Sequence, residues 1–553
     1  MTEMMNGAEA ITKCMELEGV THAFCVPGES YLPLMDSLYA SPAIELISTR
    51  HEGGAAFMAE AYGKATRKTG VAMATRAVGG ANLAIGIHTA YQDSTPMVVF
   101  LGQVHSKFRG REGFQEVDLD QFFGHISKWT VEIKDVERIP ELVQRAFRIA
   151  KSGRPGPVVV SLPEDVLKEE AEMRFGNVIP IPAPRPNHTE IAAVQELLVK
   201  AERPLILAGG GVTAANGEDA LLKFAETFGI PVMASFRRHD VFPNQHVLYV
   251  GHSGLGTFAP ILDTMRKADV VLAIGTRLSE VTTQDYCIFK HNPKIIHIDI
   301  DFDTIGKVYS PEVGIVADAK EALGALLEMK LKCTWEAWAK ERRQVYERAG
   351  DAIQKEEDAP IHNRDIIETL MKVLPKDAII TNDAGNFAGW LHNFYSFQQP
   401  KTYIGPTSGA MGYGLPAAIG AKLARPEKVV VSLSGDGGFM MTVQELETAA
   451  RYHIPVIALV FNNCMYGTIR MHQEMHFPER VVGTSLNSVD FAKLASVLQI
   501  ESFRITEQYE FEEALHKALQ AKGPVVIEIM TNPEQISVQS TITSIREGAR
   551  QKR

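Results

Sequence analysis

Short runs of apolar, largely β-branched residues recur along the whole chain, each separated from the next by a stretch of helix length. GVAMAT, PMVVFLG and PVVVSLP are apolar at successive positions rather than alternate ones. A strand with no polar side must be covered on both faces, and parallel sheets wrapped by helices provide that cover. The expected fold class is therefore α/β, with three doubly wound parallel-sheet domains, because the rhythm occurs in three blocks. The first, residues 1–175, has THAFCVP, IELIST, GVAMAT, PMVVFLG and PVVVSLP. The second, 190–335, has PLILAGGG, IPVMAS, VVLAIGTR and KIIHIDID. The third, 360–535, has DAIITND, KVVVSLS, PVIALVF and GPVVIEIMT. Between the first two lies IPIPAPRPNH, four prolines in ten residues, which reads as an extended linker. GDAIQKEEDAPIHN reads as a second linker and the basic tail SIREGARQKR as loose chain. The first and third blocks share a rhythm that hints at related folds.

Bulk properties narrow the function. A formal net charge of −11 argues against a non-specific nucleic-acid binder, which needs surplus Lys and Arg. Five scattered cysteines without a CxxC pair read as reduced thiols of a cytoplasmic protein. No apolar run reaches the roughly 18 residues of a membrane span, and the N-terminus lacks the apolar core of a signal peptide.

The chemistry-bearing stretch is SLSGDGGFMMTVQELETAARYHIPVIALVFNN. An apolar strand ends in Asp436 among Gly435, Gly437 and Gly438. Ligands of open α/β sheets bind beyond the carboxyl ends of the strands, and glycines let backbone N–H groups approach them. The following segment, with Val443, Leu446, Ala449 and Ala450 on one side, suits a helix whose N-terminus would favour an anion. A diphosphate beside a carboxylate needs a bridging hard cation, and Mg²⁺ takes such oxygen ligands. The next strand returns parallel to the first and ends in Asn462 and Asn463, so Asn463 can reach the same ion. A lone GDG is an ordinary strand-to-helix turn; GDG, helix, apolar strand and NN in that order is specific.

That stretch resembles the thiamine-diphosphate motif. STRHEGGAAFMAEAYGKATRKTGVAMATRAVGGANLAIGIHTAYQDSTPMVVFLGQV, FQEVD, PLILAGGG, AIGTRLSE, IIHIDID and SGAMGYGLPAAIGAKLA extend the likeness over nearly the whole chain, in family order. The sequence is similar to the large subunits of acetolactate (acetohydroxyacid) synthases. The resemblance implies thiamine diphosphate and Mg²⁺, the ion held by Asp436, Asn463 and the Met465 carbonyl. It places Gly385, Asn386, Gly435, Gly437, Gly438, Tyr466 and Gly467 near the diphosphate. Gly409 and Met411 would touch the aminopyrimidine, as would Pro27, Gly28 and Asn82 from the first domain. Glu52 is the principal catalytic candidate: a carboxyl group on a pyrimidine nitrogen, buried and therefore raised in pKa, which suits proton exchange. Gln115 and His51 are the other catalytic candidates, facing substrate oxygens. Phe114, His472 and His476 could line the pocket.

The implied reaction is decarboxylation of a small 2-oxo acid, then transfer of the remainder to a second carbonyl. A non-oxidative 2-oxo acid decarboxylase or a 2-hydroxy ketone lyase is the alternative. Several positions depart from the family: His472 stands near its usual Trp, Val281 in place of its second Arg, and Glu29 and Ser30 where small residues are usual. The acceptor is therefore left open. Gly209, Gly210, Gly211, Arg277, Asp299 and Asp301 match positions lining a flavin site in these synthases, while related decarboxylases lack the flavin, so FAD also stays open. The family's cofactor halves come from two subunits, implying a homodimer or homotetramer.

Overall fold

A computed structural model describes residues 2–351 and 360–551. It contains three six-stranded sheets, parallel throughout. The first comprises β1 (His22–Cys25), β2 (Glu45–Ser48), β3 (Gly70–Thr75), β4 (Met97–Gln103), β5 (Trp129–Glu132) and β6 (Pro157–Pro163), in the order β2-β1-β3-β4-β6-β5. The second comprises β7 (Pro204–Ala208), β8 (Val232–Ala234), β9 (Tyr249–His252), β10 (Val270–Ile274), β11 (Lys294–Asp299) and β12 (Val313–Val316), in the order β9-β8-β7-β10-β11-β12. The third comprises β13 (Ile379–Asn382), β14 (Tyr403–Ile404), β15 (Val430–Gly435), β16 (Ile457–Asn462), β17 (Glu501–Ile505) and β18 (Val525–Met530), in the order β14-β13-β15-β16-β18-β17. The first and third sheets are wired identically. The middle sheet has the dinucleotide-fold order, in which ligands bind where the strand order reverses.

Every sheet buries both faces, as the uninterrupted apolar runs require. In β3, Val71 and Met73 enter one core while Ala72 and Ala74 enter another. The core behind Ala72 also contains Val430, Ala458 and Val460, so the first and third sheets share one apolar layer. The opposite face of the third sheet, with Val431, Leu433 and Leu459, shares a layer with Leu205, Leu207 and Val271 of the middle sheet.

The seam between first and third sheets is two helices, Glu52–Thr66 and Gly414–Ala424. Both are rich in Ala and Gly, which lets their backbones approach closely. A Cβ on Gly420 would lie 2.2 Å from the Met58 carbonyl oxygen. A buried polar knot flanks the seam: Glu60 accepts from Tyr413 (2.5 Å) and Thr95 (2.6 Å), and Lys64 bonds both Glu60 (3.0 Å) and Asp93 (2.9 Å). Asp93 also meets Arg238 (3.2 Å) and the Thr407 N–H (3.1 Å), tying all three sheets' segments together. Burial opposes ionisation of Asp93, but Lys64 and Arg238 hold its carboxyl down to about 2.

The proline-rich stretch is free of helix and strand until Asn187, which caps the helix His188–Val199 in a reciprocal box with Glu190. Most of the second expected linker, residues 352–359, lies outside the described residues. The tail corrects its expectation. Residues Ile542–Gln551 form a helix, because Ile542 and Ile545 pack on Ile536, Met465 and Met471, and Arg546 forks both oxygens of Glu474 at 2.7 and 2.8 Å. Among the described residues no helix is long and apolar enough to cross a membrane.

Candidate active site

The carboxylate of the GDG turn sits at the carboxyl end of β15. The parallel register pairs Gly435 with Phe461, so Asn462 and Asn463 emerge directly beside Asp436. Asp436 is buried and its Oδ1 accepts from Gly437 N at 2.9 Å. Burial pushes its carboxyl up to about 6, against the pull of the backbone N–H groups of Gly437, Cys464 and Met465. The two asparagines divide their work. Asn462 donates to Glu528 (2.7 Å) and the Val489 carbonyl (3.1 Å) and accepts from Cys464 N (3.1 Å), so it shapes the turn. Asn463 makes no hydrogen bond among the described residues. Cys464 takes φ +56° to reverse the chain.

Close approach explains the neighbouring glycines. A Cβ on Gly437 would lie 2.6 Å from the Tyr466 ring, and one on Gly438 would lie 2.7 Å from Asp383 Oδ2. The expected helix after the motif is corrected: a single turn, Asp436–Phe439, is followed by a separate helix, Glu445–Arg451. Val443 precedes that helix.

Asp383, unremarked in the sequence, organises the adjoining loop. It is fully buried at the end of β13 and accepts from the N–H groups of Ala384 (2.8 Å), Gly412 (3.1 Å) and Tyr413 (3.4 Å). Burial raises it to about 6, opposed by those three donors. It thereby fixes the segment containing Gly409, at φ +70°, and half-buried Met411. Gly385 and Asn386 follow it; Asn386 accepts from Thr468 Oγ1 (2.9 Å) and donates to the Ile536 carbonyl (2.8 Å). Tyr466 and Gly467 open the helix Gly467–His476, which bears His472 and His476, their rings parallel and 6.3 Å apart.

The first sheet supplies a second rim. Glu52 opens the helix Glu52–Thr66, and its Oε2 accepts from Asn82 Nδ2 at 2.9 Å. A Cβ on Gly79 would stand 3.1 Å from the other oxygen. Glu52 is half-buried, not enclosed as expected. His51 caps the helix, its Nδ1 accepting from Gly53 N at 3.0 Å. Pro27 and Gly28 follow β1, and Gly28 lies against Thr75, where a Cβ would come within 2.6 Å. Gln115 lies on the loop beyond β4 at φ +62°. Glu445 was also unremarked. Its buried carboxylate accepts from Arg50 N (3.3 Å), His51 N (3.0 Å) and Thr448 Oγ1 (2.7 Å), joining the third sheet's segment to the Glu52 turn.

Among the described residues, no hydrogen bond or ion pair links Glu52, Asn82 or Gln115 to the Asp436 turn. No group of three His, Cys, Asp or Glu side chains able to hold a metal occurs among them either. A cation at Asp436 would therefore take amide and carbonyl oxygens besides the single carboxylate, the donor set of a hard ion that keeps phosphate and water ligands.

The middle sheet has a crevice of about 510 Å³ at its order reversal, lined by Gly210, Gly211, Arg154, Arg238, Arg277 and Asp299. Close loop packing by itself demands the glycines: a Cβ on Gly209 would lie 2.2 Å from the Gly275 carbonyl oxygen, and Gly275 takes φ +59°. Burial raises the Asp299 carboxyl to about 6.

Two identically wired sheets, one ending in a carboxylate–amide turn and the other in a glutamate–asparagine pair, define a thiamine-diphosphate enzyme. The three parts match families described as the N-terminal TPP binding domain (residues 5–122), the central domain (191–326) and the C-terminal TPP binding domain (383–529) of thiamine pyrophosphate enzymes. Similar proteins include the probable acetolactate synthase large subunit of Methanocaldococcus jannaschii, 37% identical over 96% of this chain and 93% of that one. The acetolactate synthase large subunit of Buchnera aphidicola subsp. Acyrthosiphon pisum is 35% identical (94% and 92%), and the isozyme 3 large subunit of Escherichia coli is 33% identical (94% and 93%). The chain belongs to the acetolactate synthase large-subunit family.

Proposed function

We propose that the protein is a thiamine-diphosphate- and Mg²⁺-dependent enzyme that decarboxylates a small 2-oxo acid and joins the remainder to a second carbonyl compound. The observation that carries this reading is the Asp436 turn with Asn463 beside it at the end of parallel β16. Asp436, the Asn463 amide oxygen and the Met465 carbonyl hold the cation. Gly437 and Gly438 bring the backbone to the diphosphate, and Asn386, Tyr466 and Gly467 flank it. Thiamine diphosphate supplies the nucleophilic carbon and the electron sink for loss of CO₂. Glu52 holds and returns a proton at its carboxylate against the pyrimidine ring, with Asn82 fixing its orientation. Gly409 and Met411 seat that ring, on a loop that Asp383 rigidifies, with Pro27 and Gly28 on the opposite side. Gln115 and His51 Nε2 face the reacting oxygens.

The half-open Glu52 and the separation of the two rims favour a homodimer, or a homotetramer of dimers, in which each rim meets its complement on another copy. The relatives' names say "large subunit", which fits a multi-subunit assembly. Three arginines and Asp299 suit the crevice to a dinucleotide diphosphate and a ribose, and FAD is the ligand we assign to it. Five free thiols accord with a reducing cytoplasm.

The test is purified protein with thiamine diphosphate and Mg²⁺, given a panel of 2-oxo acids while CO₂ and ligated product are read together. Both should form. Aldehyde alone selects the decarboxylase alternative, and no binding of thiamine diphosphate at saturating Mg²⁺ refutes the reading. A flavin absorption spectrum of the purified protein tests FAD.

A further inference from the structure

Beside the crevice assigned to FAD lies a second cavity, of about 310 Å³, that the proposed reaction does not use. The two share Asp93 and Arg238, whereas Arg67, Thr213, Asp240 and Lys401 line only the second. Two of its cations stand where the backbone favours glycine. Arg67 ends the helix Glu52–Thr66 at φ +63°, and Lys401 takes φ +63° in the turn before β14. A long side chain held in the left-handed region costs free energy that its surroundings must offset, and such positions point to a use for the side chain.

The carboxylates around this cavity are already engaged. Asp93 accepts from Lys64, Arg238 and the Thr407 N–H. Asp240 accepts from the N–H groups of Thr402 (3.0 Å) and Tyr403 (3.1 Å), and Asp318 caps the helix Ala319–Leu326. The donors are not. Among the described residues the Arg67 guanidinium makes no hydrogen bond or ion pair, and its Nε is sealed from solvent. Glu218 attracts it but lies outside the cavity lining and beyond ion-pair distance. Burial brings the guanidinium down to about 10, against the pull of Glu218 and Asp240 and with Arg238 and Arg425 crowding it further. Lys401 Nζ donates to Asn216 Oδ1 (2.5 Å), which leaves two of its three N–H groups. The Thr213 hydroxyl is buried and has no partner among the described residues. Unused donors on three separate chain segments, among carboxylates spent elsewhere, select a ligand rich in acceptor oxygens.

We propose that this cavity binds a compact phosphomonoester, with Arg67, Lys401 and the Thr213 hydroxyl donating to its phosphate oxygens. A terminal phosphate offers three acceptor oxygens to donors that arrive from different sides, which a planar carboxylate does not. The cavity is in the range of small organic ligands, and Pro96, Pro155, Ile181 and Pro182 give it an apolar wall for the esterified group. FAD does not supply this phosphate, because its diphosphate is esterified at both ends. The assignment stands apart from the carboligase reading, since none of these residues belongs to the Asp436 or Glu52 rims.

The test is a calorimetric titration of the full chain with thiamine diphosphate, Mg²⁺ and FAD all at saturation, so that the cofactor sites are closed to the probe. Glycerol 3-phosphate is the probe, because it has no carbonyl group and cannot enter the reaction. It should bind at one site per chain, and inorganic phosphate should compete with it while binding more weakly. Arg67→Gly suits φ +63° and so keeps the helix end; it should weaken glycerol 3-phosphate by about 10–100-fold, the loss of hydrogen bonds to a charged group. Its urea midpoint should equal or exceed that of the wild type, so that the weaker binding is read on folded protein. Thr213→Val, of nearly the same shape, should weaken the probe by about fivefold. Absence of saturable binding, an affinity indifferent to both substitutions, or release of FAD by the probe overturns the assignment. Equal affinity for inorganic phosphate and glycerol 3-phosphate overturns the choice of an ester.

Discussion

Glu445 should make the chain less stable as the pH rises from 5 to 8. Its carboxyl is buried between the third-sheet segment and the Glu52 turn, and burial lifts it from an ordinary 4.5 to about 7, against the hydrogen bonds from Thr448, Arg50 and His51. The folded state therefore binds the proton more tightly than the unfolded state does. The resulting stabilisation is complete below pH 4.5 and is lost as the pH climbs through about 7. At 1.36 kcal/mol per unit, the full swing is about 3 kcal/mol, most of which falls between pH 5 and 8. Other groups titrate in the same range. His239, His252 and His392 are buried and depressed below the usual histidine value, so they remove stability as the pH falls below about 6.5. The measurement is therefore a difference. Urea unfolding of wild type and Glu445→Gln at several pH values should give curves whose separation changes by about 2–3 kcal/mol. The glutamine will shift every point by a constant, because one of its N–H groups faces a backbone N–H, but that offset has no pH dependence. A separation that stays flat from pH 5 to 8 would refute the reasoning.

Glu52→Gln should still bind thiamine diphosphate in a fluorescence titration while turnover falls by roughly 10²–10⁴-fold; a near-wild-type rate removes its proton-transfer role. Gly420→Ala forces a methyl group against the Met58 carbonyl oxygen and should cost about 1–3 kcal/mol, read as a lower urea midpoint. Arg546→Ala leaves Glu474 with Arg470 as its remaining guanidinium; amide exchange in the helix Gly467–His476 should accelerate, and unchanged protection would show the tail helix to be dispensable.

The central strands were legible because apolar runs such as VVVSLS and PVIALVF can only be buried on both faces. Several edge strands were not, although IELIST was legible as one. β5 (WTVE) is half-buried throughout, β17 (ESFRI) buries only Ile505 fully, and the two residues of β14 carry no periodicity at all. The Asp436–Asn463 pairing was legible because a single crossover fixes it. Asp383 was not, since TNDAGN has the composition of a turn and its partners lie 29 and 30 residues away. Glu445 was hidden more deeply. QELET reads as a solvated helix face, and the amides that claim its carboxylate are 394 and 395 residues distant. The tail was misread from charge alone, because Arg546 and Arg550 find carboxylates that no local pattern announces. The division of labour between Asn462 and Asn463 required the buried Glu528, which only the folded sheet brings to Asn462.

The shared wiring of the outer sheets has a consequence for how such a chain can be cut. It behaves as a tandem of two equivalent cassettes with a spacer module threaded between them, and the spacer's entry crosses a proline-rich strap that adds no strand or helix to either side. Severing that strap breaks no sheet and no core layer. The two fragments, made as separate polypeptides, should therefore recombine through the Ala- and Gly-rich seam.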